Sequence, residues 1–193
     1  MGTGTPALFL DRDGTLIADV PYLADPTCVR LLPGAGALVR EANTVGWPVV
    51  IVTNQSGIAR RLISEAQYDA VAGRVVALLA AEGATVTATY HCPHEPSITG
   101  PCDCRKPATG MYRRAARELG LALDASVYVG DRWRDVAAAV ETGSIGLLIP
   151  GVETSPDDHA QFDDAVARGA RLHRIGALED ARAFLHALPE RAA

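Results

Sequence analysis

The stretch FLDRDGTLI, Phe9 to Ile17, ends a short apolar run in two aspartates, Asp11 and Asp13, with Gly14 and Thr15 behind them. The run 7–10 reads as a buried strand that stops at Asp11. Two more apolar runs end on polar residues in the same way. The strand expected at 48–52 stops at Thr53-Asn54, and the one at 126–129 stops at Gly130-Asp131, with Asp135 four residues on. A threonine-rich alternating run at 85–90 suits another strand and leads into a loop that carries Arg105 and Lys106. Further strands are expected at 145–149 and 171–175.

Helical patterns separate these runs, at 34–45, 64–82, 109–121, 132–142, 157–168 and 178–188. Ser64 with Gln67 three residues later is a capping-box opening, and Gly83 closes that helix. Alternating strands and helices imply an α/β fold: a three-layer, Rossmann-like arrangement with a central parallel sheet. Right-handed crossovers put every strand's carboxyl end on one edge, where ligands of such sheets bind. One domain spanning 1–193 is expected, with a loop at 91–107 that has no helix or strand of its own.

Composition narrows the function. The chain has 193 residues, 48% of them hydrophobic, and a net charge of -5. That balance lacks the basic footprint of a nucleic-acid binder. No apolar run reaches the 18 or so residues of a membrane span. The first residues, MGTGTPALFLDRDG, lack the basic start and long apolar stretch of a secretion signal, so a cytoplasmic location is expected. Any anionic ligand must be held by local positive groups.

The strand ends deliver complementary chemistry to one edge. Any one of these residues alone is an ordinary turn or cap residue; together they suggest a site. Asp11, Asp13 and Asp131 repel one another unless a cation joins them, and hard oxygen donors suit Mg²⁺. Thr53 offers a hydroxyl and Lys106 a point charge for a phosphate.

The loop adds a second metal set. Cys92, His94, Cys102 and Cys104 lie within 13 residues. Three thiols and an imidazole suit tetrahedral Zn²⁺, and four protein ligands make the site structural. A reducing compartment favours this reading over disulfides. Alternation turns His91 away from Cys92. Cys28 stands apart and reads as a small buried hydrophobe.

The series DRDGT, Thr53 at a strand end, Lys106, then Gly130-Asp131-x-x-x-Asp135 resembles the haloacid dehalogenase superfamily of aspartate-nucleophile phosphatases. The match runs from about residue 8 to 150. With TNQSGIAR, CPH…CDCRKP and GDRWRD, it resembles the capless, zinc-containing branch that includes heptose 1,7-bisphosphate and histidinol-phosphate phosphatases. No insert long enough for a cap lies between Thr15 and Pro48 or between Thr53 and Lys106.

The resemblance implies catalytic roles for Asp11 (nucleophile), Asp13 (acid and base), Thr53 and Lys106, with an aspartyl-phosphate intermediate. It implies substrate contacts from Asp19, Tyr22, Thr53, Asn54, Gln55, Ser56, Arg60, Arg105, Lys106 and Arg132. Arg132 stands where the family often has lysine. Seven residues separate His94 from Cys102, between the loop lengths of the heptose and histidinol enzymes. Arg61 and Arg134 read as solvated surface charges.

The arginines favour a phosphorylated sugar, a bisphosphate, because guanidinium forks pair well with phosphate. The expected partner is thus a small phosphorylated sugar, with no nucleic acid and no membrane. Histidinol phosphate is the alternative. A nucleic-acid 3′-phosphatase and a non-catalytic zinc-stabilised binding module rank lower.

Overall fold

The computed structural model describes residues 4–187. Six parallel strands form one sheet: β1 (Leu8–Leu10), β2 (Val49–Asn54), β3 (Ala88–Cys92), β4 (Val127–Gly130), β5 (Ile145–Leu148) and β6 (Leu172–Arg174). Their order is β3-β2-β1-β4-β5-β6. The chain winds outward from β1 to β3, crosses back to β4 beside β1, and winds the other way. The switch in strand order therefore falls between β1 and β4, the place where such sheets open a crevice.

The sequence dictates this layering. Successive side chains of a strand point to opposite faces. Leu8 and Leu10 enter one buried cluster with Ile51 and Val129; Ala7 and Phe9 enter the other with Val50 and Tyr128. Both faces of the central strands are apolar because helices cover both. Those helices are α1 (Ala35–Thr44), α2 (Glu65–Ala81), the single turn α3 (Pro96–Thr99), α4 (Gly110–Leu119), α5 (Trp133–Thr142), α6 (Pro156–Ala167) and α7 (Arg182–Ala187). The Ser64–Gln67 capping box opens α2 with both reciprocal hydrogen bonds. On the second face Phe9 stacks on Tyr128 with ring centroids 5.0 Å apart and meets Tyr112 edge-on at 5.3 Å.

Four expectations need correction. The strand expected at 85–90 lies later, at Ala88–Cys92, because His91 and Cys92 pair in register with Thr53 and Asn54. The loop behind it is not featureless: β3 reaches its Cys92, and α3 adds a turn that opens on Pro96. Cys28 is exposed rather than buried, since it ends the 3-10 turn Pro26–Cys28 and Val29 takes the inward position. The last helical stretch divides into a 3-10 turn, Leu178–Ala181, and α7; its expected final residue, Leu188, lies outside the described residues.

Among the described residues, the connections after β1 and β2 hold no separate cap. Between β1 and α1 lie only the turn Pro26–Cys28 and two isolated bridges, Asp13–Ile17 and Ile17–Leu31.

Candidate active site

The crevice collects the ends of β1, β2 and β4. Asp11 extends β1, its N–H donating to the Val129 carbonyl of β4 at 3.0 Å. Carboxylate oxygens of Asp11, Asp131 and Asp135 gather within 4.8 Å of one another, all three residues buried. Asp135 arrives because it is the N3 residue of α5, where its Oδ2 accepts from the Arg132 N–H at 3.0 Å. Two glycines make room. Gly14 turns at φ +78° and a Cβ there would sit 2.6 Å from Asp131 Oδ2; a Cβ on Gly130 would meet the Asp135 Cβ at 2.2 Å.

Lys106 is buried among these carboxylates. Its Nζ donates to Asp11 Oδ1 at 2.5 Å and to the Val52 carbonyl at 2.6 Å, and stands 2.7 Å from Asp135 Oδ1. Burial works against the ammonium, but Asp11 and Asp135 outweigh it and raise its pKa. Lys106 stays charged.

Among the described residues, Lys106 is the one cation within hydrogen-bond reach of this cluster; Arg132 and Arg134 stand farther off, 3.9 Å from Asp131 and from Asp135. Burial pushes the Asp11 carboxyl up to about 7, with Asp135 and Asp13 adding to the rise and Lys106 opposing it. Burial likewise pushes Asp131 up to about 8, with Asp11 and Asp135 adding. Such a cluster asks for a further positive charge, and its donors are all hard oxygens. The residues fit a small divalent ion such as Mg²⁺.

Asp13 is not part of this gathering. Its carboxylate turns to Arg12, whose Nη2 donates to Oδ2 at 2.9 Å and whose Nε reaches Oδ1 at 3.1 Å. Gln55 Nε2 donates to the same Oδ2 at 2.9 Å, and the Thr53 hydroxyl lies 3.4 Å away. The structure thus groups Asp13 with Thr53 and Gln55, beside the Asp11 cluster.

A cavity of about 180 Å³ opens over Asp13. Asp19, Tyr22, Asn54, Gln55 and Ser56 line it, as does Arg134. Arg134 is therefore not simply a solvated charge: its Nε is buried and its guanidinium stands 3.9 Å from Asp135. Arg60, Arg105 and Arg132 do not line this cavity. Arg60 and Arg105 converge on Glu95, at 2.9 and 3.8 Å, and Arg132 pairs with Glu153 at 2.9 Å.

The second cluster lies at the end of β3. Cys104 Sγ is 3.0 Å from Cys92 Sγ, 3.5 Å from Cys102 Sγ and 3.1 Å from His94 Nδ1. No disulfide joins the three cysteines. Ligands about 2.3 Å from a tetrahedral zinc stand roughly 3.8 Å apart, so the four atoms are already near that spacing. Arg105 ties the cluster to the next loop by donating to the His94 carbonyl at 3.0 Å.

Comparison with known proteins agrees with this geometry. D-glycero-beta-D-manno-heptose-1,7-bisphosphate 7-phosphatase of Mesorhizobium japonicum is 41% identical over 152 residues, 76% of this chain and 70% of the relative. The chain belongs to the HAD-like phosphatases. The same-named enzyme of Escherichia coli K12 is 36% identical over 164 residues, 81% of this chain and 86% of that one. The HAD-hydrolase-like family model matches residues 103–171, which hold Lys106, Asp131 and Asp135. Among solved structures, D,D-heptose 1,7-bisphosphate phosphatase from B. bronchiseptica, complexed with magnesium and phosphate, superposes with TM-score 0.76 at 31% identity, covering 94% of this chain and 98% of that one. This HAD-like phosphatase is a phosphoric monoester hydrolase. Three of its cleft residues carried little sequence signal: Arg12 sits between the two aspartates, Arg134 in a charged helix start, and Asp135 betrays itself only by its spacing from Asp131.

Proposed function

We propose that this enzyme hydrolyses D-glycero-D-manno-heptose 1,7-bisphosphate to the 1-phosphate, with Asp11 as nucleophile. The observation that carries the reading is the set of heptose bisphosphate phosphatases at 36–41% identity, the first of them matched over 76% of this chain and the Escherichia coli enzyme over 81%. Asp11 and Asp131 would hold Mg²⁺, with Asp135 beside them. Asp13 would complete the ligand set from the same loop, and its side chain, paired with Arg12, is also suited to proton transfer. Mg²⁺, when bound, neutralises the carboxylates and the transferring phosphoryl group.

The chain's own residues then do the following. An Asp11 carboxylate oxygen attacks phosphorus as the ester P–O bond breaks, and Asp13 gives its proton to the leaving oxygen. In the second half, a water attacks the aspartyl-phosphate and Asp13 takes its proton. The bond from Asp11 to phosphorus breaks and phosphate leaves. Lys106 fixes Asp11 Oδ1 and supplies positive charge to the phosphoryl oxygens. Thr53 and Gln55 keep Asp13 in place. Asp19, Tyr22, Asn54 and Ser56 bound the substrate's sugar end. Arg60, Arg105 and Arg132 reach the substrate only by leaving their carboxylate partners.

Cys92, His94, Cys102 and Cys104 would hold a structural Zn²⁺ that pins the loop delivering Arg105 and Lys106. The whole chain would act as one domain, in the cytoplasm. Free clustered thiols support a reducing compartment, and no helix among the described residues is long and apolar enough to cross a membrane.

Histidinol phosphate is the second reading. It is favoured by the acidic Asp19 in the cleft and by the carboxylate partners of Arg60, Arg105 and Arg132. Phosphate release from the two compounds, compared as kcat/KM, tests both. A preference of about a hundredfold for the bisphosphate, roughly 2.7 kcal/mol, is expected. The reverse preference would place the enzyme on histidinol phosphate.

A further inference from the structure

Arg12 has the largest of the fully buried side chains, at 2% exposure. Burying a guanidinium is costly unless it is paired. Among the described residues its one carboxylate partner is its sequence neighbour. Nε donates to both Asp13 oxygens, at 3.1 and 3.2 Å, and Nη2 donates to Oδ2 at 2.9 Å. Nη1 is buried without a partner. The other face of the guanidinium rests on Tyr68 of α2, with Cζ 5.6 Å from the ring centroid. Tyr68 is itself held from behind: its ring lies 3.9 Å from that of His91, and His91 Nε2 is 3.1 Å from Glu65 Oε2.

A structural position of this depth is filled at lower cost by an apolar side chain. What the arginine adds is a fixed direction for Asp13. The contacts are uneven. Oδ2 accepts from Arg12 and Gln55, with the Thr53 hydroxyl close by, while Oδ1 accepts only the Arg12 Nε. Oδ1 is the oxygen left for a transferable proton.

We propose that Arg12, braced by Tyr68, is a positioning residue that locks the Asp13 carboxyl so that Oδ1 carries the proton to and from the reacting oxygens. The inference rests on the acid and base role given to Asp13 above. In the first step the proton leaves Oδ1 for the ester oxygen while the P–O bond breaks and the bond from Asp11 to phosphorus forms. In the second a water proton returns to Oδ1. A misaimed acid hurts most when the leaving oxygen is basic and needs the proton, and least when it departs as a stable anion.

The test compares kcat/KM on phenyl phosphate and p-nitrophenyl phosphate, two substrates of similar shape, with Mg²⁺ present. The proteins are wild type, Arg12→Met, Arg12→Lys and Asp13→Asn. Arg12→Met is expected to lose about tenfold more on phenyl phosphate than on p-nitrophenyl phosphate. Asp13→Asn should show a larger split of the same sign, and Arg12→Lys a smaller one. Equal losses on both substrates in the Arg12 variants, with the split present in Asp13→Asn, would overturn the positioning role alone. No split in Asp13→Asn would overturn both this role and the reading of Asp13 as the acid. If Arg12→Met does not fold, Arg12→Lys decides by the same comparison, since it keeps the charge and loses the fork.

Discussion

The side-chain amide of Asn54 makes both hydrogen bonds of the Lys106 backbone: Oδ1 accepts from the N–H and Nδ2 donates to the carbonyl, each at 3.0 Å. Asn54 ends β2, and Lys106 lies 52 residues on, beyond the cysteine cluster. The pair fastens a loop residue to the sheet and sets the reach of Nζ to Asp11. Asn54→Ala is expected to lower kcat by about tenfold or more, through misplacement of Lys106. Steady-state kinetics beside a melting curve check this; a kcat within twofold of wild type would contradict the clamp.

Stability should depend on pH through the carboxylate cluster. In the metal-free fold Asp11 titrates at about 7 and Asp131 at about 8, against 3.8 for an ordinary aspartate. The folded chain then holds extra protons between those values, so these groups lend stability at low pH that is lost as pH rises through about 7 to 8. Bound Mg²⁺ replaces the protons. The Mg²⁺-induced rise in Tm is expected to be larger at about pH 8.5 than at about pH 5.5, with the trend weakened in Asp131→Asn. Equal rises at both pH values would count against the cluster as the cation site.

Zinc content is a separate matter. Purified protein is expected to hold about one zinc per chain, and Cys104→Ser to hold much less. Burial and the neighbouring thiols raise the Cys104 pKa, an effect that a bound zinc would offset. Activity should fall with the metal because Arg105 donates to the carbonyl of His94 and Lys106 follows it. Elemental analysis of active, folded protein that contains no zinc would remove the site.

Glu95 should tune substrate choice. It holds Arg60 and Arg105; burial raises its pKa, but those two arginines and the Ser97 N–H together bring it below the ordinary value. Glu95→Gln removes the charge that holds Arg60 and loosens Arg105, which keeps its bond to the His94 carbonyl. If they serve the second phosphate of a bisphosphate, KM for it is expected to fall severalfold with little change in kcat. An unchanged KM would leave Arg134, already in the cleft, as the better candidate.

Much of this arrangement is legible in the sequence. The apolar runs before Asp11, Thr53 and Asp131 are strands because both their faces are buried, and that pattern is local. So is the Ser64–Gln67 cap. The third strand was displaced because its end is fixed by pairing His91 with Thr53, a contact across 38 residues of chain. Side-chain directions were harder still. Gln55 and Asn54 read as substrate contacts and line the cavity, but the partners of their amides, Asp13 and Lys106, lie 42 and 52 residues away. No pattern within the β2 stretch records those pairings. Arg12 is the sharpest case: a charged residue between two others looks solvated, and only the packing of Tyr68 and the aim of Asp13 explain its burial.

The most direct measurement is phosphate release from heptose 1,7-bisphosphate by Asp11→Asn protein with Mg²⁺ present. Its amide is a poor nucleophile and still fits beside Lys106. The account predicts a loss of about ten-thousandfold or more in kcat, with the protein folded. Retention of full Mg²⁺-dependent activity would show that Asp11 is not the nucleophile.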